Sequence, residues 1–260
     1  MTYRQLLLLV LAASVAIVGC AKKQVLAVPE ADIVVAQDGS GDFTTIDAAL
    51  AKADDGDVVY VKQGTYRGGV EIEGLEGIVL AGAGPGMAII DADDDYAALT
   101  IDTDGCEVYG FTLRDASSHG IYIKDGAHRI HHCLVTGNGD RGIYFTSFGG
   151  SPSAVIDHCT VVDNEVSGIY SPEDNEDTEV TNCVIAFTGR GIVTDEDEGG
   201  INVAYNCLHN DGTDLDRVTE GEGNVFEDPE FTDPDNGDYT LKSSSPCRGA
   251  ASDGGDMGCL

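Results

Sequence analysis

Short runs in which apolar and polar residues alternate recur from residue 75 onward, and turn residues separate them. Aligning the runs gives one register with steps of 22, 26, 24 and 24 residues: Phe111, Cys133, Cys159, Cys183 and Cys207. A second register has steps of 22, 22, 26 and 23 residues: Leu99, Ile121, Ile143, Ile169 and Ile192. Two registers with a similar step indicate a structural repeat.

A step of this length fits one coil of three short strands joined by turns. Stacked coils lie ~4.8 Å apart, so each register would become a column of like residues. Leucine-rich repeats have a similar length, but their Leu-x-x-Leu-x-Leu pattern is missing here. The pattern therefore predicts an all-β chain folded as a single-stranded parallel β-helix, with coils of 22–26 residues over positions 75–225.

The His-Cys pair that recurs in "RIHHC" and "VIDHC" could indicate zinc binding, nucleophilic catalysis or a repeated structural position. Its histidines belong to a column that precedes the Phe/Cys register: Gly110, His132, His158, Asn182 and Asn206. Gly, Asn and His are enriched where the backbone turns left-handed. We therefore expect tight corners at this column and small, reduced, inward-facing cysteines after it, because metal ligands would converge rather than repeat along a stack.

Positions 32–74 predict an N-terminal cap and a first coil. Thr44 and Asp47 resemble a capping box, and one face of the helix that follows is apolar: Phe43, Ile46, Ala49, Leu50 and Ala53. Such a helix would cover the open end of the solenoid. Positions 226–260 predict a C-terminal cap in which Cys247 and Cys259 could form a disulfide, whereas Cys106 has no evident role.

The first 19 residues have the features of a bacterial lipoprotein signal peptide, an apolar run that ends in Ile17-Val18-Gly19-Cys20. Cleavage before Cys20 would leave a lipidated thiol and a tether over 20–31, although an ordinary secretory signal with a chance Cys is the alternative. We therefore expect a monomer in the cell envelope, attached to the membrane only through the lipid on Cys20.

The formal net charge of −32 excludes nucleic-acid binding through a basic surface. It should also repel acidic polysaccharides unless a cation lies between them. The acidic runs at 91–95, 173–177 and 195–198 could bind Ca²⁺, and the last of these supplies the metal candidates Asp195, Glu196, Asp197 and Glu198. Solvated acidic loops are the simpler interpretation.

Two long segments carry a family resemblance. "VVAQDGSGDFTTIDAALAKADDGDVVYVKQGTYRGGVEI" resembles the opening of pectin methylesterases and related pectate-lyase-like right-handed β-helices. "DPEFTDPDNGDYTLKSSSPCRGA" is similar to the closing segment of bacterial right-handed β-helix repeat proteins. The resemblance implies a right-handed coil and a link to extracellular polysaccharides. It does not extend to methylesterase motifs, because no Gln follows Gln63, and "VIDHC" has Val155 where the pectate-lyase stretch has Trp.

The Gly-Ile-Tyr strands suggest a binding surface. If the Ile register points inward, alternation directs Tyr122, Tyr144 and Tyr170 outward as an aromatic ladder that could lie against sugar rings. The nearby cations Lys124, Arg141 and Arg190 would complete a polysaccharide-binding face. An equally good interpretation is a ladder that only stabilises the stack through contacts between rings on successive coils.

Catalysis is a further hypothesis for this face. A lyase would use Lys124 or Arg141 together with Ca²⁺, and a hydrolase would use two carboxylates roughly 5–9.5 Å apart, for which Asp115, Asp125 and Asp157 are candidates. The sequence thus predicts an envelope lipoprotein that binds a polysaccharide and, in the lyase alternative, cleaves it. The competing prediction is a non-catalytic structural spacer without a ligand site.

Overall fold

The structure, a computed structural model, describes residues 26–146, 152–172, 177–195 and 200–260. Cys20 and the predicted leader lie outside these ranges, as do Glu196, Asp197 and Glu198. Across the described ranges, no helix has both the length and the apolar character needed to cross a membrane.

The regular elements of the described residues are short strands, with one α-helix near the start of the fold. In chain order they are β1 (Ile33–Val35), α1 (Ile46–Leu50), β2 (Val58–Val61), β3 (Gly64–Arg67), β4 (Val70–Glu73), β5 (Val79–Gly82), β6 (Ala88–Asp91), β7 (Ala97–Asp102), β8 (Glu107–Tyr109), β9 (Phe111–Arg114), β10 (His119–Asp125), β11 (Ala127–His131), β12 (Leu134–Thr136), β13 (Arg141–Phe145), β14 (Ser153–Asp157), β15 (Thr160–Val162), β16 (Ser167–Ser171), β17 (Thr178–Thr181), β18 (Val184–Ala186), β19 (Ile192–Thr194), β20 (Ile201–Ala204), β21 (Cys207–His209), β22 (Leu215–Asp216), β23 (Thr219–Glu220), β24 (Phe231–Asp233) and β25 (Asp238–Leu241). A 3₁₀ turn, Pro234–Asn236, joins the last two strands.

Strands β1 to β23 form three parallel sheets that run the length of a right-handed β-solenoid, and β24 and β25 form a separate antiparallel pair. Sheet 1 has the order β1-β2-β5-β8-β11-β14-β17-β20-β23, sheet 2 the order β3-β6-β9-β12-β15-β18-β21, and sheet 3 the order β4-β7-β10-β13-β16-β19-β22. From β2 to β23, strands three places apart in the chain pair with each other, whereas β1 pairs with β2, and one strand from each sheet makes one coil. The predicted β-helix is confirmed, with seven coils from β2 to β22.

The interior is built from the inward half of each alternating strand. The whole Leu/Ile register pairs as the repeat predicts, from Leu99 with Ile121 to Ile169 with Ile192. Cys133, Cys159 and Cys183 are fully buried in the same core, with free thiols. Burial raises the pKa of the Cys133 and Cys159 thiols well above the usual range, so these thiols act as small apolar core groups.

The corners between sheets 1 and 2 are left-handed at the predicted column for four coils, with φ of 78° at Gly110, 51° at His132, 47° at His158 and 57° at Asn182. In the next coil the prediction was wrong by one residue. Tyr205 takes the corner with φ 57°, and Cys207 pairs with Val184 instead of continuing the Cys column.

Asn206 occupies the inward position that the register slip leaves. The slip is tolerated because the buried Asn206 amide is fully hydrogen-bonded. Its Nδ2 donates to the carbonyls of Val180 (2.7 Å) and Ala204 (3.0 Å), and its Oδ1 accepts from the backbone N–H of Cys183 (2.8 Å).

The N-terminal helix buries Ile46, Ala49 and Leu50 against the first strands. Its N-cap is Thr45, one residue after the predicted Thr44, and the Thr45 hydroxyl accepts a hydrogen bond from the backbone N–H of Ala48 at 3.3 Å. Thr45 has the extended backbone of an N-cap, which lets its side chain reach the first turn.

The C-terminal segment differs from the expected end cap because it lies along the side of the solenoid. The β24–β25 hairpin and the chain after it cover outward-facing residues of sheet 2, forming a second apolar cluster that includes Leu134, Val162 and Val184. The Tyr239 hydroxyl donates to Asp163 Oδ2 at 2.5 Å. Asp163 follows β15, two coils before the last coil.

Cys247 and Cys259, the predicted disulfide pair, are both buried and carry free thiols in this structure. The Cys259 backbone N–H donates to Thr160 Oγ1 at 3.1 Å. Cys247 is packed in the buried cluster that also contains Cys207, and the Cys207 pKa responds to the Cys247 thiol. The two cysteines are thus held at different places on sheet 2.

Candidate functional site

The three tyrosines of the Gly-Ile-Tyr strands form a half-buried row on the outer face of sheet 3. Tyr122 pairs with Tyr144 in register, and Tyr144 with Tyr170. The ring centroids of Tyr122 and Tyr144 are 5.4 Å apart at an interplanar angle of 8°, and those of Tyr144 and Tyr170 are 5.8 Å apart at 19°. The ring faces therefore pack on one another. Stacking of sugars on these faces, as the sequence suggested, is restricted to the ends of the row.

Arg141 lies against this row. Its guanidinium carbon is 5.0 Å from the Tyr144 ring centroid and 4.3 Å from that of Tyr170, and its Nη1 is 2.5 Å from Asp140 Oδ2. Gly142 follows Arg141, and a Cβ there would come within 2.6 Å of the Gly168 carbonyl oxygen. Glycine at this position lets the coils approach closely where Arg141 turns toward the rings.

His119 and Tyr96, which the sequence pattern did not indicate, complete the aromatic cluster. His119 is almost fully buried, with its ring centroid 4.5 Å from that of Tyr144. Its Nε2 is 3.2 Å from the hydroxyl of the exposed Tyr96. Burial, with a contribution from Arg141, lowers the pKa of His119 to about 4. Pairing of His119 with Arg141 in the strand register was the signal that could have revealed it.

The remaining two cations differ in their surroundings. Lys124 Nζ is 3.0 Å from Glu71 Oε1 and 3.1 Å from Asp102 Oδ2, and the hydrogen bond to Glu71 is the main reason that the Lys124 pKa is raised. Arg190 lies just before β19, two coils beyond Arg141, and its backbone carbonyl accepts from the Gly168 N–H. Its guanidinium makes no ion pair with any residue that the structure describes.

The carboxylates suggested for hydrolysis do not converge. Asp157 is on sheet 1, where hydrogen bonds from His158, Asn182 and Thr181 outweigh the effect of burial and hold its pKa well below the usual range. Asp125 ends β10, and its Oδ1 accepts from the Gly126 N–H at 2.9 Å. Asp115 is ion-paired with Arg114 beyond the end of β9, on sheet 2. Hydrolysis by a pair of these three side chains is therefore not supported.

The calcium hypothesis for the acidic run at 195–198 can be followed only at Asp195, because the other three positions lie outside the described residues. Asp195 Oδ2 accepts a short hydrogen bond from the Tyr170 hydroxyl. Within the described ranges, no group of three His, Cys, Asp or Glu side chains is arranged to hold a metal ion.

Comparison with known proteins identifies the family. The right-handed beta helix family matches residues 90–248, more than half of the chain, and the chain belongs to it. The pectinesterase family also matches, over residues 32–145. The two matches agree with the three-sheet solenoid and with the resemblance of the N-terminal segment.

Curated relatives include plant pectinesterases. Pectinesterase 2 of Citrus sinensis is 29% identical over 222 residues, which cover 76% of this chain and 42% of the relative. Pectinesterase 1 of Solanum lycopersicum is 32% identical over 100 residues, which cover 33% of this chain and 17% of the relative. The chain thus spans less than half the length of these relatives.

A solved structure of similar fold is the pectin methylesterase from Aspergillus niger in its deglycosylated form. The TM-score is 0.51 at 16% sequence identity, and the superposition covers 86% of this chain and 94% of that chain. At this identity the likeness concerns the fold alone.

Proposed function

We propose that the outer face of sheet 3 binds a polysaccharide that runs along the solenoid axis. The observation that carries this proposal is the row of tyrosine hydroxyls. Those of Tyr122 and Tyr144 make no hydrogen bond to the described part of the chain. They lie on successive coils, ~4.8 Å apart, and their rings are held by mutual stacking. A row of ordered, unpaired hydroxyls is pre-organised for sugar hydroxyls, which can both donate and accept.

The charges of the face bear on the kind of polysaccharide. Asp140 offsets Arg141, and Glu71 and Asp102 together outweigh Lys124, so Arg190 is the cation of the three that no carboxylate of the described residues pairs with. The chain as a whole carries a net charge of −32. A neutral polysaccharide therefore binds directly, whereas a polyuronate binds only when Ca²⁺ bridges its carboxylates to those of the protein.

The proposed location is the cell envelope, with attachment through the lipid on Cys20. The support is the order of Arg4, apolar run, small residue and Cys in the first 20 residues. A tether over residues 20–31 would leave the solenoid free to meet an extracellular polymer. The pectinesterase relatives support a polysaccharide partner, while the lack of any Gln after Gln63 argues against methylester hydrolysis by this chain.

A structural spacer without a ligand site is the second candidate, and one observation favours it. The ring faces of the tyrosine row pack against each other and against Arg141, as they would in a ladder that serves only to join coils. In that case the hydroxyls would be dispensable, because they contribute nothing to the contact between ring faces.

Removal of the hydroxyls separates the two functions. The double variant Tyr122→Phe/Tyr144→Phe keeps the stacked rings and removes both hydroxyls, and Tyr60→Phe on sheet 1 is the matched control. Binding is measured on a panel of neutral glycans, pectate and alginate, with Ca²⁺ or with EDTA. Loss of about two hydrogen bonds should weaken binding roughly tenfold or more in the double variant and leave Tyr60→Phe unchanged.

The same panel tests cleavage, because a lyase releases unsaturated uronate products that absorb in the ultraviolet. Calcium-dependent absorbance that is lost in Lys124→Met or Arg141→Lys would establish the lyase alternative. Binding to no glycan, or equal binding by the double variant and the wild type, would overturn the proposed site and leave the spacer.

A further inference from the structure

The one-residue shift of register in the last coil places Cys207 on a different side of sheet 2 from the other cysteines of its column. Cys207 pairs with Val184, a residue of the second apolar cluster, so its side chain faces outward from sheet 2. Cys133, Cys159 and Cys183 face the solenoid interior instead. Because a shift by one residue reverses the face of a strand, Cys207 is the member of the original repeat that leaves the core.

Cys247 meets Cys207 from the other side of this cluster. The C-terminal segment brings Cys247 onto the outer face of sheet 2, where both cysteines are fully buried. Both side chains belong to the same buried cluster, and the Cys247 thiol is the first cause of the raised pKa of Cys207. Unlike the stacked cysteines of the interior, whose Cβ atoms point in parallel directions from successive coils, these two approach from facing elements, as a disulfide requires.

We propose that Cys207 and Cys247 form a disulfide that fastens the C-terminal segment to the last coil. In forming it, the two thiols lose two protons and two electrons. An organic disulfide such as oxidised glutathione accepts them by exchange, through a mixed disulfide, and leaves as two thiols. This modification is independent of the polysaccharide proposal.

The state of the thiols indicates when the bond forms. The hydrogen bond to Cys247, together with burial, raises the pKa of the Cys207 thiol well above its usual range. Since the thiolate is the reacting form, exchange is slow in the closed fold. It proceeds while the C-terminal segment is still undocked, during folding or local opening, and docking then buries the finished bond.

The expected consequence is stabilisation of the closed C-terminal segment. The bond would close a loop between positions 207 and 247, and a loop of that length restricts the unfolded chain substantially. Reduction should lower the midpoint of thermal unfolding by about 5–10 °C for a domain of this size.

Tryptic cleavage distinguishes the possible pairings. Cys207 falls in the peptide 191–217, Cys247 in the peptide 243–248 and Cys259 in the peptide 249–260. The full-length chain is refolded with a mixture of reduced and oxidised glutathione, alkylated without reduction and digested. Mass spectrometry should find peptide 191–217 linked to peptide 243–248, and the link should disappear after reduction.

The variants Cys207→Ser and Cys247→Ser should each lose the thermal shift between oxidised and reduced protein, while the matched control Cys259→Ser keeps it. If a serine variant fails to fold, the peptide map of the wild type still decides the question. Alkylation of both Cys207 and Cys247 in the unreduced, unfolded chain would overturn the proposal. A link between peptides 243–248 and 249–260 would also overturn it.

Discussion

The guanidinium carbon of Arg141 lies 4.3 Å from the centre of the Tyr170 ring, which belongs to the next coil. The same group is 5.0 Å from the Tyr144 ring and forms an ion pair with Asp140. One side chain thus joins two coils through their tyrosines. Cation–π contacts at partly buried positions contribute about 0.5–2 kcal/mol, so Arg141 stabilises the tyrosine row.

The central tyrosine of the row should matter for stability. Tyr144 stacks on a ring at each side and contacts His119, so Tyr144→Ala removes several ring contacts at once. We expect a loss of about 2–3 kcal/mol in the free energy of unfolding, measured by urea denaturation. Tyr144→Phe should cost less than about 0.5 kcal/mol, because it keeps the stacked ring.

Tyr60→Ala is the control for this prediction. Tyr60 also faces outward, on β2 of sheet 1, and it has no ring contact among the described residues. Its removal should cost clearly less than removal of Tyr144. Equal losses at the two positions would show that stacking contributes nothing beyond the area that each ring buries.

Two left-handed glycines should respond differently to alanine. Gly137 has φ 68°, and the nearest atom to an added Cβ is Asp115 Oδ1 at 3.8 Å. Gly137→Ala should therefore cost only the backbone strain, about 1–2 kcal/mol. Gly110 has φ 78°, and its added Cβ would be 2.5 Å from the Gly82 carbonyl oxygen.

The backbone at Gly82 cannot easily move away from a Cβ added at Gly110. Gly110→Ala should therefore lower the free energy of unfolding by roughly 3 kcal/mol or more. The denaturation midpoints of the two variants, compared in one series, test this difference. A Gly110→Ala protein as stable as Gly137→Ala would mean that the coils can separate locally at this corner.

His119 should make the fold sensitive to mild acid. Its folded pKa is about 4, below the usual value of 6.5. As pH falls below 6.5, His119 binds a proton in the unfolded chain but stays neutral in the folded protein. The free energy of unfolding therefore decreases until about pH 4 is reached. His132 acts in the same direction, because burial and the neighbouring His131 and His158 also lower its pKa to about 4.

His158 opposes this trend. Its hydrogen bond to Asp157 raises its pKa, so its stabilising contribution is complete below the unfolded value of 6.5 and is lost as pH rises through the folded value.

Because the lowered pKa of His119 makes the wild type less stable in mild acid, the His119→Gln variant should lose less stability than the wild type between pH 7 and pH 4.5. Urea midpoints at the two pH values measure the effect, with the exposed His209→Gln as control.

A buried asparagine at the turn between sheets 2 and 3 should be hard to replace. Asn164 Oδ1 accepts from the N–H and the Nδ2 of Asn138, and its own Nδ2 donates to the carbonyls of Val135 and Val162. Asn164→Ala leaves these buried groups unpaired, at a cost of about 3 kcal/mol or more.

The exposed Asn236, in the 3₁₀ turn of the C-terminal segment, is the control for this variant. Asn236→Ala should change the free energy of unfolding by less than about 1 kcal/mol. If Asn164→Ala were equally mild in urea denaturation, water would have to enter the turn and replace the missing amide.

The sequence by itself determined the repeat. In a solenoid each coil copies the environment of the one before, so similar residues recur at the coil step. The Leu99–Ile192 register, the left-handed corners at His132 and His158 and the buried cysteines were therefore predictable from spacing. The location of the tyrosines on the outer side of sheet 3 follows from the same alternation.

Tertiary structure alone decided the features that depend on contacts outside the repeat. The hydrogen-bonded Asn206 amide occupies the inward position, so Cys207 lies on the outer face of sheet 2. The C-terminal segment packs on that face because it carries outward-facing apolar residues. The stacking of the tyrosine faces, the burial of His119 and the pairing of Lys124 with Glu71 likewise depend on neighbouring coils. Local spacing fixes which face a side chain points to, but packing between distant segments fixes what it meets there.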